Sequence, residues 1–342
     1  MLIDVAAHIL PPRHFARVVD TAADGFFLQK RIRGVSELWD LDARFRAIDS
    51  VADADYRQVL TLANPPIERV VAPTDCPGVC RALNEELREL VDRYPDRFMG
   101  AFGYLPMKDP DTAIVEMDRL ADLGLVGFEV FSDVDGVPLD HPDVLPILDE
   151  AFSRGLAVFM HPVRDITHTD YSTEEVSRFE AWQILGWPYA TSVAMMRLAL
   201  SGLFERHPAA TLITHHCGGM IPFFASRIEH GLNQLGTRTD GDEYVGMLNR
   251  LPLTPVEYLG RFSCDTALSG GPSAIRMAAE FFGTDRVFFG SDMPFDSNGG
   301  RIYITEAVRA IRTSGLTHEA QTAIFQDNAI DKLRLPVADK TF

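Results

Sequence analysis

Leu212-Ile213-Thr214-His215-His216-Cys217-Gly218-Gly219 is a short apolar, β-branched run that ends in two adjacent histidines and a pair of glycines. Such a run favours an extended strand, and the glycines let the backbone turn sharply into the helix-like segment that begins near Ile221. The stretch therefore predicts a strand that presents reactive side chains at its C-terminal end.

The same design recurs three times. Leu2-Ile3-Asp4-Val5-Ala6-Ala7 runs into His8, Leu156-Ala157-Val158-Phe159-Met160 into His161-Pro162, and Arg286-Val287-Phe288-Phe289-Gly290-Ser291 into Asp292-Met293-Pro294. Residues 56–63, 97–105, 126–131 and 261–266 read as four more strands. Helical spacing appears between the strands. Residues 75–93 carry Val79, Leu83, Leu87, Leu90 and Val91 on one face, with Asp75 as the expected cap. Residues 111–123, 144–154, 222–236 and 272–282 read as helices, 173–206 as helical in pieces, and 302 to the end as closing helices. Eight strand-then-helix units predict an α/β fold, a (β/α)8 TIM barrel forming one domain over 1–342, with extra C-terminal helices.

Two stretches stand outside the repeat. Residues 13–55 follow Pro11-Pro12 and carry Phe15, Phe26, Phe27, Leu28, Trp39, Leu41 and Phe45, too apolar for a linker. They are expected to be an insertion after the first strand, packed over the barrel where a substrate lid would sit. Residues 237–254 are polar and glycine-containing and read as a surface loop.

Hydrophobic residues make up 46% of the 342 and charged ones 24%, as in a globular protein with a sizeable core. A formal net charge of −17, from 49 acidic and 32 basic residues, argues against nucleic acid or an anionic membrane as partner. The four cysteines are too few for a disulfide scaffold, no apolar run is long enough to span a bilayer, and the N-terminus lacks a signal-peptide pattern; the chain reads as cytoplasmic.

If the four histidine- and aspartate-ended strands are parallel, their side chains converge at one end of the barrel. His8, His161 and Asp292 then supply neutral imidazoles and a carboxylate to one divalent ion, zinc or manganese, with positions left open for substrate. His216 would stand beside the ion as acid or base. In a regular strand its neighbour His215 points to the other side, which assigns His215 to a supporting role. Asp265, in the seventh strand, is placed to orient a ligand histidine. Arg164 and His168, after His161, are candidates to hold a substrate carboxylate, with Arg164 pairing to Asp165 as the alternative. Cys76 and Cys80 read as buried free thiols. Trp182, Trp187 and Tyr189 read either as the wall of a ring-sized pocket or as core.

Ile3-Asp4-Val5-Ala6-Ala7-His8, Tyr94-Pro95-Asp96-Arg97-Phe98, Met160-His161-Pro162, His216-Cys217-Gly218-Gly219 with Pro222-Phe223, and Phe289-Gly290-Ser291-Asp292-Met293-Pro294-Phe295 together resemble the amidohydrolase superfamily. The nearer resemblance is to its branch of aminocarboxymuconate-semialdehyde decarboxylase and the resorcylate decarboxylases. It implies a metal-bearing barrel that removes carbon dioxide from an aromatic or conjugated unsaturated acid, with His161 and Asp292 at metal-ligand positions, His216 at the catalytic histidine, and a homodimer or higher homo-oligomer; in such a reaction the catalytic proton is expected from Asp292 or His216. One position departs. Relatives commonly carry His-x-His or Glu-x-His at the end of the first strand, where this chain has Ala6 before His8. A methyl group binds no metal, so the ion is held by His8, His161 and Asp292 alone, or weakly, or not at all. Three functions follow: a decarboxylase, a hydrolase that uses activated water on a carbonyl, amide or lactone, or a metal-free barrel that binds a ligand.

Overall fold

In the computed structural model, which describes residues 1–20, 28–51, 55–239, 244 and 246–336, eight strands pair in parallel and in sequence order. They are β1 (Leu2–Ile9), β2 (Tyr56–Leu62), β3 (Phe98–Tyr104), β4 (Gly127–Phe131), β5 (Ala157–His161), β6 (Leu212–Thr214), β7 (Ser263–Asp265) and β8 (Val287–Phe288). Beyond β8 the chain returns to β1. Val5 N–H donates to Phe289 O at 2.9 Å, Asp292 N–H to Ala6 O at 3.1 Å and His8 N–H to Met293 O at 2.9 Å. These bonds close the sheet into a barrel, which removes the exposed edges an open sheet would leave.

Among the described residues, eight helices of nine residues or more surround the strands: α1 (Leu41–Asp49), α2 (Cys76–Arg93), α3 (Pro110–Asp122), α4 (Leu145–Ser153), α5 (Gly186–Leu200), α6 (Ile221–Leu232), α7 (Pro272–Phe282) and α8 (Arg301–Arg312). The apolar stripe read for 75–93 is the buried face of α2. Asp75 holds the N-cap position of α2 but its side chain makes no capping bond; Asp109, by contrast, accepts from Thr112 N–H at the start of α3. Ile3, Val5, Val59, Phe102, Phe159, Ile213 and Phe288 fill the barrel interior, where each large side chain contributes roughly 1.5–3 kcal/mol of burial. Ala329, Leu333 and Leu335 from the closing helices pack with that interior cluster.

The described part of 13–55 is helical and bound to the barrel. Leu10 N–H donates to Leu38 O, and the buried Arg44 of α1 reaches Ala7 O and His8 O at 3.3 and 2.7 Å. Arg31 spans to Phe295 O at 2.5 Å and lies over the Phe295 ring. Phe26 and Phe27, and residues 240–243 and 245 of the expected surface loop, fall outside the described residues. No described helix is long and apolar enough to cross a membrane.

Candidate active site and metal centre

Each site residue sits where its strand ends. His8 lies near the end of β1, His161 is the last residue of β5, His215 and His216 follow β6, and Asp292 lies four residues past β8. Ring centroids of His8, His161 and His215 are 5.0, 5.3 and 4.8 Å apart. Asp292 Oδ1 stands 3.3 Å from His8 Nε2 and 3.5 Å from His215 Nε2, and its Oδ2 4.0 Å from His216 Nε2. Four imidazoles and one carboxylate thus share one end of the barrel.

Strict alternation puts His215 and His216 on opposite sides, and the structure does not have it. β6 stops at Thr214, and His216 and Cys217 take left-handed φ values of 58° and 53°. The chain coils at once, so the two rings lie 3.8 Å apart and both face Asp292. Gly219 completes the coil with φ 61° and ψ −123°, and a Cβ there would meet Pro188 O at 2.5 Å. Asp292 itself has φ 66°. Left-handed residues other than glycine cost about 1–3 kcal/mol each and persist where the surroundings hold them.

Three of the histidines have one nitrogen tied down. His8 Nδ1 faces Leu62 O at 3.3 Å and Thr61 Oγ1 at 3.0 Å, His161 Nδ1 faces Pro162 O at 2.7 Å, and His215 Nδ1 faces Asp265 Oδ2 at 2.5 Å. A carbonyl or carboxylate at Nδ1 fixes the hydrogen there and leaves Nε2 as a lone pair. His8 Nε2 and His215 Nε2 are buried without a hydrogen-bond partner. His216 differs: its Nδ1 is the nitrogen left without a partner. Unpaired buried lone pairs beside a carboxylate are costly alone and fit a divalent cation.

The electrostatics ask for positive charge as well. Burial pushes the Asp292 carboxyl up, but the close approach of the His215 and His8 rings overcomes it and holds the group well below the usual carboxylate range. Burial also opposes a second proton on His215, yet Asp265 and Asp292 raise its pKa to about 10, so Nε2 holds a proton that a bound cation would replace to reach the lone pair. His161 lies well below the ordinary histidine value, through burial and the three neighbouring histidines. His216 is lowered to about 3 by burial and by His215 beside it.

Around this centre, Asp265 serves two roles, since its Oδ1 accepts from the His216 and Ala267 backbone at 3.0 Å each. Arg164 is partly buried, with its guanidinium over the Tyr189 ring at 5.8 Å. It does not pair with Asp165, which binds Arg69 at 3.2 Å. His168 is exposed, held at 3.3 Å by Asp165, and shares no hydrogen bond or ring contact with the four histidines among the described residues. Trp187 is buried with its ring edge-on to His161 at 5.4 Å, and Trp182 packs behind it, whereas Tyr189 is half-exposed. Phe295 lies 5.6 Å from His8 and Phe131 5.4 Å from His161, so aromatic rings wall the centre. Cys76 and Cys80 are buried free thiols, 3.9 Å apart.

Two residues escaped the sequence reading. Asn64, just past β2, places its amide 3.1 Å from His161 Nδ1, and its position after a strand was the available signal. Glu129, a lone carboxylate within β4, accepts from Leu62 N–H at 2.6 Å, keeps its other oxygen unpaired, and is pushed well up by burial. Its signal was a single acid inside an apolar strand.

The amidohydrolase family model Amidohydro_2 matches residues 3–335. The chain is 31% identical to 2-amino-3-carboxymuconate-6-semialdehyde decarboxylase of Dictyostelium discoideum over 76% of this chain and 68% of that protein. It is 30% identical to gamma-resorcylate decarboxylase of Rhizobium radiobacter over 75% of this chain and 77% of that protein. A dihydroxybenzoic acid decarboxylase from Polaromonas sp. JS666, solved with bound manganese and the inhibitor 2-nitroresorcinol, superposes with a TM-score of 0.76 at 24% identity, covering 100% of this chain and 99% of that one. With a match that spans nearly its whole length, this chain belongs to the amidohydrolase family.

Proposed function

We propose that this protein is a metal-dependent carboxy-lyase that removes carbon dioxide from an aromatic or conjugated unsaturated acid. The observation that carries the reading is the convergence of His8, His161, His216 and Asp292 at one end of the barrel, in a chain whose relatives are decarboxylases of aminocarboxymuconate semialdehyde and resorcylate. One divalent ion, zinc or manganese, held by His8, His161 and Asp292, supplies positive charge to the substrate oxygens when bound.

The chain's own residues do the rest. Phe131, Trp187 and Phe295 take a planar ring between apolar walls. Arg164, at the rim over Tyr189, holds a substrate oxygen through a charge-assisted hydrogen bond. His216, kept neutral near pH 7 by burial and His215, takes up a proton from solvent and delivers it to the carbon that bears the carboxylate, with Asp292 4.0 Å away as its partner. Protonation of that carbon makes the carboxylate a leaving group. The bond to it breaks, its electron pair restores the conjugated system, and carbon dioxide departs.

The described residues of 13–55 act as an insertion within one barrel domain that roofs the site, a role supported by Arg31 resting on Phe295. Exposed Ile184, Leu185, Tyr189 and Phe223, at 51–72% of their full accessibility, support a homodimer. The four buried free thiols agree with a reducing, cytoplasmic setting.

The test is an assay of hydroxybenzoates and muconate-like acids in water enriched in oxygen-18. Carbon dioxide released one-for-one with an unlabelled decarboxylated product is the expected result. A product that has gained one labelled oxygen, without carbon dioxide, would make the enzyme a hydrolase and end this reading.

A further inference from the structure

We infer that His215 is itself a ligand of the divalent ion, the fourth protein donor beside His8, His161 and Asp292, and that the centre is built for a zinc-like rather than a manganese-like ion. The inference rests on the metal-dependent reading above and extends it to a residue that strand alternation sends elsewhere.

Three observations carry it. First, His215 has the same anatomy as His8 and shares with His161 a committed Nδ1. Its Nδ1 is committed to an acceptor, here Asp265 at 2.5 Å, and its Nε2 is buried, unpaired and 3.5 Å from the same Asp292 oxygen that stands 3.3 Å from His8 Nε2. His8, His161 and His215 each offer a donor atom within 4.8 Å of the others. Asp292 forms a second such set with His215 and His216, so His215 is the donor common to both sets, and His216 is told apart by its anatomy.

Second, His216 lacks that anatomy. Its buried Nδ1 has no acceptor to fix the hydrogen, so both of its tautomers remain open. A ligand needs a fixed lone pair, and a proton carrier needs the freedom to exchange. The adjacent histidines therefore divide the work, His215 for the ion and His216 for the proton.

Third, the wall beside them is cut to fit. Ala6 lines the barrel interior with only a methyl group, next to Gly290. A Cβ on Gly290 would lie 2.8 Å from Asp265 Cβ and 2.9 Å from Ala6 Cβ. Small residues at 6 and 290 leave room for the Asp265–His215 pair. The ligand position that Ala6 removes from β1 is thereby supplied from the end of β6.

Three imidazoles and one carboxylate form a nitrogen-rich set. Imidazole donors favour zinc, and oxygen-rich sets favour manganese or magnesium. The set therefore selects the metal as well as holding it.

The experiment is metal binding, read without turnover. Apo-protein is titrated with zinc and with manganese by calorimetry for wild type, His215→Ala, His216→Ala and His161→Ala, and folding is checked by circular dichroism in chelator. The expected result is a loss of zinc affinity for His215→Ala greater than about 100-fold, beyond the 10–100-fold typical of a residue that only orients a ligand. The loss should match that of His161→Ala, with zinc affinity nearly unchanged in His216→Ala and zinc preferred to manganese in wild type. If His215→Ala does not fold, zinc X-ray absorption on His216→Ala decides, because three coordinated imidazoles there support the assignment and two overturn it. His215→Ala that folds and keeps its zinc affinity overturns it as well. Wild type preferring manganese overturns the metal-selection half. Wild type that binds no divalent ion overturns the metal-dependent reading itself, a result separable from the others because every variant would then match wild type.

Discussion

His215 donates its Nδ1 hydrogen to Asp265 Oδ2 across 2.5 Å, with both side chains wholly buried. The two Asp265 oxygens serve three donors: the His215 ring and the backbone N–H groups of His216 and Ala267. An asparagine has one carbonyl oxygen and one amide. In Asp265→Asn the oxygen stays with the two backbone donors and the amide faces His215 Nδ1, which moves the imidazole hydrogen to Nε2. The expected outcome is a loss of roughly 10–100-fold in zinc affinity at nearly unchanged melting temperature, read by calorimetry. Affinity within about three-fold of wild type would show that Asp265 does not set this tautomer.

Arg164 and His168 are separated by the structure although they lie only four positions apart. Arg164 lies partly buried on Tyr189, and its backbone oxygen accepts from Trp187 Nε1, which ties it to the wall beside His161. His168 is turned to solvent on Asp165. Arg164→Ala should raise KM by about ten-fold or more through loss of a charged hydrogen bond, with a smaller effect on kcat. His168→Ala should leave kcat/KM within about two-fold, as for an exposed pair. Equal effects in steady-state kinetics would remove Arg164 from the site.

The barrel was legible because eight apolar runs alternate with helical stripes, and four of the runs end in His or Asp. Their convergence follows from parallel pairing, which brings every C-terminal end to one face. The orientation of His215 was not legible, since it depends on the left-handed turn at His216 and Cys217, and the glycines signalled that turn two residues too late. Asn64 and Glu129 stayed hidden for another reason. A single polar residue in or after an apolar strand has the same pattern whether it faces the site or a backbone donor, and Glu129 takes the backbone of Leu62. The role of Arg44 was equally invisible, because a buried arginine in a helix reads as a solvent-facing one.

Arg44 joins the insertion to the first strand. Its guanidinium is buried and meets Gln58 Oε1 at 2.9 Å, His8 O at 2.7 Å, Ala7 O at 3.3 Å and Glu37 O at 3.2 Å. Burial lowers its pKa to about 10, which leaves it charged at neutral pH. Arg44→Met strands these acceptors, and each unpaired buried group costs roughly 1–3 kcal/mol. The expected loss is about 3 kcal/mol or more in urea unfolding, together with weaker metal binding, since two of the carbonyls flank and carry His8. A loss below about 1 kcal/mol would mean the helix and strand hold without it.

The insertion also sets an acid limit through His14. The backbone N–H groups of Arg13 and His14 donate to Glu86 of α2 at 2.8 and 3.0 Å, which seats the His14 ring in a buried position with Nδ1 unpaired. Burial, aided by the charge of Arg17, lowers its pKa from 6.5 to about 4. The unfolded chain therefore binds a proton between pH 6.5 and 4 that the folded protein refuses, so stability falls as pH drops through this window. The slope from this one group is at most about 1.4 kcal/mol per pH unit. His14→Gln cannot titrate. Urea unfolding of wild type and His14→Gln at pH 7.5, 6 and 5 should show the variant losing less stability on acidification, whatever its offset at pH 7.5. Parallel curves across the three values would place the acid sensitivity elsewhere, and not in Asp4, Glu68 or Glu129, whose carboxyls burial pushes up so that acidification favours the fold.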